Sequence, residues 1–109
     1  MLDIVTALSS SGLPVSHPPY LGDAEQYVTF YLLDHGHSNW ASGGAVEDVT
    51  VYSVDLFSRG DDLSTSNQLL TLLRAAGYVV REGPEFYESD TGLYHLNFDV
   101  RGWTDLWET

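Results

Sequence analysis

Histidines and carboxylates are the groups in this chain that could move protons or hold a metal. The segment Asp34-His35-Gly36-His37 places two imidazoles and a carboxylate close together, a set able to bind a divalent cation. No third histidine lies nearby to complete a tetrahedral shell, so the plainer reading is a polar segment, with a metal-binding module on His35 and His37 as the alternative. His95, beside Asn97 and Asp99, is either a general base or a solvated, interfacial histidine, and the second reading is preferred. The carboxylate pairs Asp61 and Asp62, and Glu85 and Glu88, fall in turns, where charge is normally hydrated. There is no cysteine, so thiol nucleophiles, disulfides and thiolate metal sites are excluded. No serine stands in a nucleophile elbow and no glycine loop is built to cradle phosphate. These residues define no catalytic set, no metal site and no cofactor.

The elements that would carry these groups follow from hydrophobic period. Leu2, Ile4, Val5 and Leu8 line one side of a short N-terminal helix, supported by Asp3 and ended by Ser9, Ser10, Ser11 and Gly12. Pro14, Pro18 and Pro19 make the following stretch an extended connector, with His17 a packing or surface residue. Residues 26–33 read as a strand, with Val28, Phe30 and Leu32 on one face and Tyr27, Thr29, Tyr31 and Leu33 on the other, both apolar enough to be covered. Residues 34–48 lack periodicity and read as a long exposed loop, a length that points to function or mobility.

A second strand over residues 49–58 pairs antiparallel with the first. Tyr52, Val54 and Leu56 share one face; Val51, Ser53, Asp55 and Phe57 share the other, where Asp55 faces solvent or a neighbour. Asp61 and Asp62 precede an apolar stripe of Leu63, Leu69, Leu70, Leu72, Leu73 and Ala76 that Gly77 terminates, which is the main helix. Residues 78–103 form a β-hairpin. In its second strand Tyr94, Leu96, Phe98 and Val100 alternate with His95, Asn97, Asp99 and Arg101. The expected fold is α+β: one domain over residues 1–109, an antiparallel sheet of about four strands, the main helix packed on it and a short N-terminal helix.

Charge narrows the function classes. The chain has 16 acidic residues against four arginines and no lysine, a formal charge of -12, so phosphate backbones are repelled and nucleic-acid binding through basic contacts is excluded. The composition fits either a GC-rich genome or adaptation to high salt. No apolar run approaches the roughly 20 residues that cross a bilayer, and residues 1–13 lack the basic start of a signal peptide, so no membrane is expected and the cytosol is the expected place of synthesis. Three tryptophans, seven tyrosines and four phenylalanines exceed what one helix and one sheet bury, which assigns Trp40, Tyr87, Trp103 and Trp107 to partner contacts.

The order and spacing of certain segments carry a resemblance. They are Tyr-Val-Thr-Phe-Tyr at 27–31, Val-Tyr-Ser-Val-Asp-Leu-Phe-Ser at 51–58, Ala-Ala-Gly-Tyr at 75–78 and Tyr-Glu-Ser-Asp-Thr-Gly-Leu-Tyr-His at 87–95. From Tyr20 to Trp103 the chain resembles the tail-completion proteins of siphophage-type long-tailed viruses, also termed tail-to-head joining or tail terminator proteins. That resemblance implies a non-enzymatic virion protein, located at the head-tail interface, forming a hexameric ring around the DNA path. Its implied partners are further copies of itself, the major tail tube protein and a head connector or neck protein, with DNA passing through without sequence-specific binding. Another neck adaptor of the same virion is the nearest alternative; a DNA mimic fits the charge but not the hairpin. Candidate interface residues are Trp40, Ser42 and Val46 in the loop, Tyr87 and Leu93 at the hairpin, and Trp103.

Overall fold

The computed structural model describes residues 3–38, 47–60 and 62–105. Its elements are α1 (Ile4–Ser9), β1 (Val15–Ser16), β2 (Gln26–Ser38), β3 (Glu47–Ser58), α2 (Leu63–Ala75), β4 (Val79–Glu88) and β5 (Leu93–Asp105). The strands form one sheet in the order β1-β2-β3-β5-β4. It is an α+β fold, antiparallel except where β1 runs parallel to β2, pairing Val15 with Val28 and Ser16 with Thr29. That two-residue strand lies within the proline-bearing connector and is a fifth member the hydrophobic pattern does not announce, because two residues are too few to show a period.

The strands are longer than their apolar runs. β2 continues through His35 to Ser38 opposite Thr50 to Glu47, and β5 follows β3 to the pair Glu47 and Asp105. The 34–48 segment, expected to be a loop, is therefore strand over residues 34–38 and 47–48. Thirteen residues at about 3.3 Å each span about 43 Å, which accounts for a molecule measuring 52 × 23 × 22 Å. Leu33 is an extra residue in β2, since Leu32 pairs with Tyr52 and Asp34 with Val51.

Both helices lie on one face of the sheet. Val28 and Phe30 of β2, Val54 and Leu56 of β3, and Leu96, Phe98 and Val100 of β5 meet Ile4, Ala7 and Leu8 of α1 and Leu69 and Leu73 of α2. Phe98, Leu8, Leu56, Leu69, Leu73, Val28, Val54 and Val100 are fully buried, each stabilising the fold by about 1.5–3 kcal/mol relative to exposure. The Asp3 side chain caps α1 by accepting from the Thr6 amide at 2.9 Å, which holds its carboxyl below the usual aspartate range. Asp62 occupies the N-cap position of α2 without a side-chain capping bond. The other end of α2 closes with a left-handed turn: Gly77 has φ 101°, its amide donates to Arg74 O at 3.0 Å, and the Tyr78 amide donates to Leu73 O at 3.1 Å. Among the described residues no helix is long and apolar enough to cross a membrane.

Candidate functional site: the helix-free sheet face and its open margins

Strand alternation sends every second side chain to the face that carries no helix. There the register aligns Tyr27, Phe57, His95 and Phe86 in one row across β2, β3, β5 and β4. Tyr20, from the connector, starts the row by stacking on Tyr27 at 4.0 Å between ring centroids; Tyr27 stacks on Phe57 at 4.8 Å and Phe57 on His95 at 4.2 Å. Phe86 follows, tilted, at 6.4 Å from His95. These rings shield one another, and Phe86 remains 56% exposed. Burial, with the Glu88 charge second, raises the Tyr27 phenol above its ordinary pKa.

The next rows hold a polar network. Asp55 Oδ1 accepts from Asn97 Nδ2 at 2.9 Å and lies 2.7 Å from His95 Nε2, while Asn97 Nδ2 also donates to Ser53 Oγ at 2.9 Å. Asp55 is only 8% exposed, so the expectation that it faces solvent or a neighbour is corrected. His95 and Asn97 enclose it, and β4 bulges over Asn97 at Gly83, where an added Cβ would meet Asn97 Oδ1 at 3.1 Å. The expectation that both faces of the 26–33 strand are covered is corrected at its far end, where Tyr31, Leu32 and Leu33 are exposed. Both helices pack on the opposite face of the sheet, and among the described residues this one is closed by its own side chains and by Tyr20 of the connector.

Further along the same face Arg81, Asp99, Arg101, Val79 and Trp103 line a shallow cleft of about 290 Å³. Arg101 grips Asp99 through Nε at 2.9 Å and Nη2 at 3.4 Å, and this pairing raises the guanidinium further above its already high pKa. Arg81 is exposed and, among the described residues, has no ion-pair partner. Two of the four cations of a strongly acidic chain thus stand at one corner of the sheet.

The residues singled out by sequence divide as follows. Trp40, Ser42, Val46 and Trp107 lie outside the described residues. Tyr87 is 59% exposed and rests against Tyr94 at 5.1 Å between centroids; Trp103 is 41% exposed on the helix-free face; Leu93 is buried, at 7% exposed. His35 Nδ1 is bonded to Thr50 Oγ1 at 3.0 Å. No group of three or more potential metal ligands occurs among the described residues. His17 stacks on Phe30 at 4.6 Å, with Nδ1 3.1 Å from Phe30 O. The aromatic row and the Asp55 network went unread in the sequence. The available signal was a strand-by-strand alternation of aromatic and polar residues, which names the face but not the register.

Among the described residues, two margins of this sheet are unpaired. β1 and the connector cover β2 only as far as Phe30, through the Val28 amide on Pro14 O at 2.9 Å and His17 on Phe30 O. Beyond that, Tyr31, Leu32 and Leu33 are 42%, 54% and 54% exposed. On the opposite margin β4 is the last strand, and Val79 is 59% exposed.

No protein-family model matches the chain, and no curated protein matches it either. Among solved structures, the fold is similar to that of a chain in the virion of native gene transfer agent (GTA) particle. The TM-score is 0.50 at 12% identity, covering 94% of this chain and 86% of that one. At that identity the likeness is one of fold.

Proposed function

We propose that this chain is a non-enzymatic structural protein of a phage-like virion, and more specifically that it forms a ring that ends the tail tube and joins it to the head connector. One observation carries the reading: among the described residues the sheet leaves unpaired margins on its two opposite sides, with Tyr31, Leu32 and Leu33 exposed on one and Val79 on the other. A protein with different sticky margins on opposite sides associates head to tail, and head-to-tail contacts generate rings when the rotation closes. The fold likeness to a chain of a gene transfer agent virion, spanning 94% of this sequence, supports the virion setting. The resemblance of the segments at 27–31, 51–58, 75–78 and 87–95 supports the tail-completion role within it.

In this reading the partners are further copies of the chain, the tail tube protein, and a connector or neck protein. Tyr87 and Trp103 serve as exposed aromatic anchors, and Trp40, Ser42 and Val46, in the sequence between β2 and β3, are further candidate contacts. The charge of -12 suits a ring threaded by DNA, because a negative lumen lets the duplex slide without adhering.

Light scattering of the purified protein, with negative-stain imaging beside isolated tail tubes, tests this. Closed rings seated at one tube end support tail termination. Rings that bind a neck component and ignore tubes indicate the neighbouring adaptor role. A protein that forms no assembly alone and none on tubes or neck components overturns the proposal.

A further inference from the structure

We propose that copies of this chain join by continuing the sheet, residues 31–34 of β2 in one copy, with the extra residue Leu33, pairing antiparallel with residues 79–81 of β4 in the next. This names the contact within the ring proposed above, and it rests on that reading only for closure and copy number, not for the pairing itself.

Strand direction supplies the first support. β2 is antiparallel to β3, β3 to β5 and β5 to β4, so β2 and β4 point in opposite senses. A second copy carrying the same orientation therefore offers its β2 antiparallel to β4, the arrangement with straight hydrogen bonds. The limits of the free margins supply the second. β2 is covered through Phe30 and opens at Tyr31; β4 is open from Val79 until its bulge between Glu82 and Glu85, where Pro84 lacks an amide donor. Both open stretches lie at the same level of the sheet. Tyr31, Ser53, Asp99 and Arg81 share one row, and Asp34, Val51, Arg101 and Val79 share the next.

Charge fixes which surface fits. Two copies at -12 repel almost everywhere, and the corner formed by Arg81 and Arg101 is an exception. When the rows run on from copy to copy, Asp34 lies beside Val79 and diagonal to Arg81. At that diagonal the side-chain bases are about 7–8 Å apart, within reach of an arginine. Tyr31 lies beside Arg81 on the helix-free face, and the exposed Leu32 lies beside Val80 on the helix-bearing face. The occupant of both margins is a second copy of this chain.

Because the chain lacks cysteine, a pair of introduced thiols reads the contact directly. Within one copy, positions 34 and 79 are separated by three strand spacings, about 14 Å, beyond the roughly 7 Å that a disulfide spans between Cα atoms. Mild oxidation of the full chain carrying Asp34→Cys and Val79→Cys should give a ladder of reducible multimers. The single variants should stop at dimers, and Asp34→Cys with Glu88→Cys should give no ladder. A missing ladder from the 34/79 pair, or an equal one from the 34/88 pair, overturns the contact.

Charge exchange checks it without thiols: Arg81→Asp should weaken self-association roughly fivefold to tenfold, and adding Asp34→Arg should restore it. Failure to restore counts against the pairing. A specific ladder from a protein that ignores tail tubes supports the pairing while removing the tail role. Tube capping without a ladder keeps the tail role and removes the pairing.

Discussion

Replacing Asp55 by alanine separates an intramolecular network from an interface residue. The Asp55 side chain is 12% exposed, and its Oδ1 meets His95 Nε2 at 2.7 Å and Asn97 Nδ2 at 2.9 Å. Hydrogen bonds to a charged group are worth about 1.5–3 kcal/mol each. Two reductions apply. Asn97 keeps Ser53 Oγ at 2.9 Å after the substitution, and His95 is 25% exposed, so water recovers part of its loss. The net cost is about 2–3 kcal/mol against a typical domain stability of 5–15 kcal/mol. At this chain length each kcal/mol lowers the melting temperature by about 4 °C, so circular dichroism of the unassembled chain should record a drop of about 8–12 °C. Asp55→Asn, which retains an acceptor, should fall between wild type and Asp55→Ala. If Asp55→Ala melts like wild type while self-association is lost, Asp55 acts between copies and the network described here is not what holds it.

Three further outcomes are expected. Gly77→Ala forces a Cβ into a residue with φ 101° and should cost about 1–2 kcal/mol in urea denaturation; an unchanged midpoint would mean that the turn after α2 relaxes freely. The Tyr78 phenol is pushed up to about 12, first by burial and then by the nearby Tyr52 and Asp3. Its folded pKa exceeds the unfolded value of 10.0, so the stability it contributes is complete below pH 10 and is lost as pH rises toward 12. Tyrosinate absorbance in the folded protein should show one tyrosine ionising late, and a Tyr78→Phe variant should lack that step. Self-association should strengthen as salt rises from about 0.01 M to 0.15 M, where the screening length falls from about 30 Å to 8 Å, because the repulsion between copies at -12 is long-ranged while the margin contact is short; sedimentation showing weaker association over that range would count against an apolar, main-chain interface.

Much of the fold is legible in residue order. The alternation at 94–101, the stripe ending in Leu73 and Ala76, and Gly77 after it mark β5 and α2 because local period and a left-handed turn are properties of neighbours in sequence. The extent of β2 is not legible: Asp34, His35 and Gly36 are poor strand formers, yet they are strand because β3 offers Val51, Thr50 and Val49 beside them. Asp55 misleads for a related reason. An aspartate on an alternating strand reads as exposed, and only the register that sets Asn97 opposite it and His95 beside it supplies the partners that allow burial.

What the sequence determines alone is the fold class, the two helices, the order of the principal strands and a charge that keeps phosphate away. These depend on period, composition and turn chemistry, all read within a few residues. Tertiary structure decides which rings line up as Tyr20, Tyr27, Phe57, His95 and Phe86, which carboxylate is enclosed, and which margins of β2 and β4 stay open. Those are matters of register and strand order, and they arise largely from pairings such as Tyr27 with Phe57, Asp55 with His95 and Val51 with Arg101, 30, 40 and 50 positions apart, which no local pattern encodes.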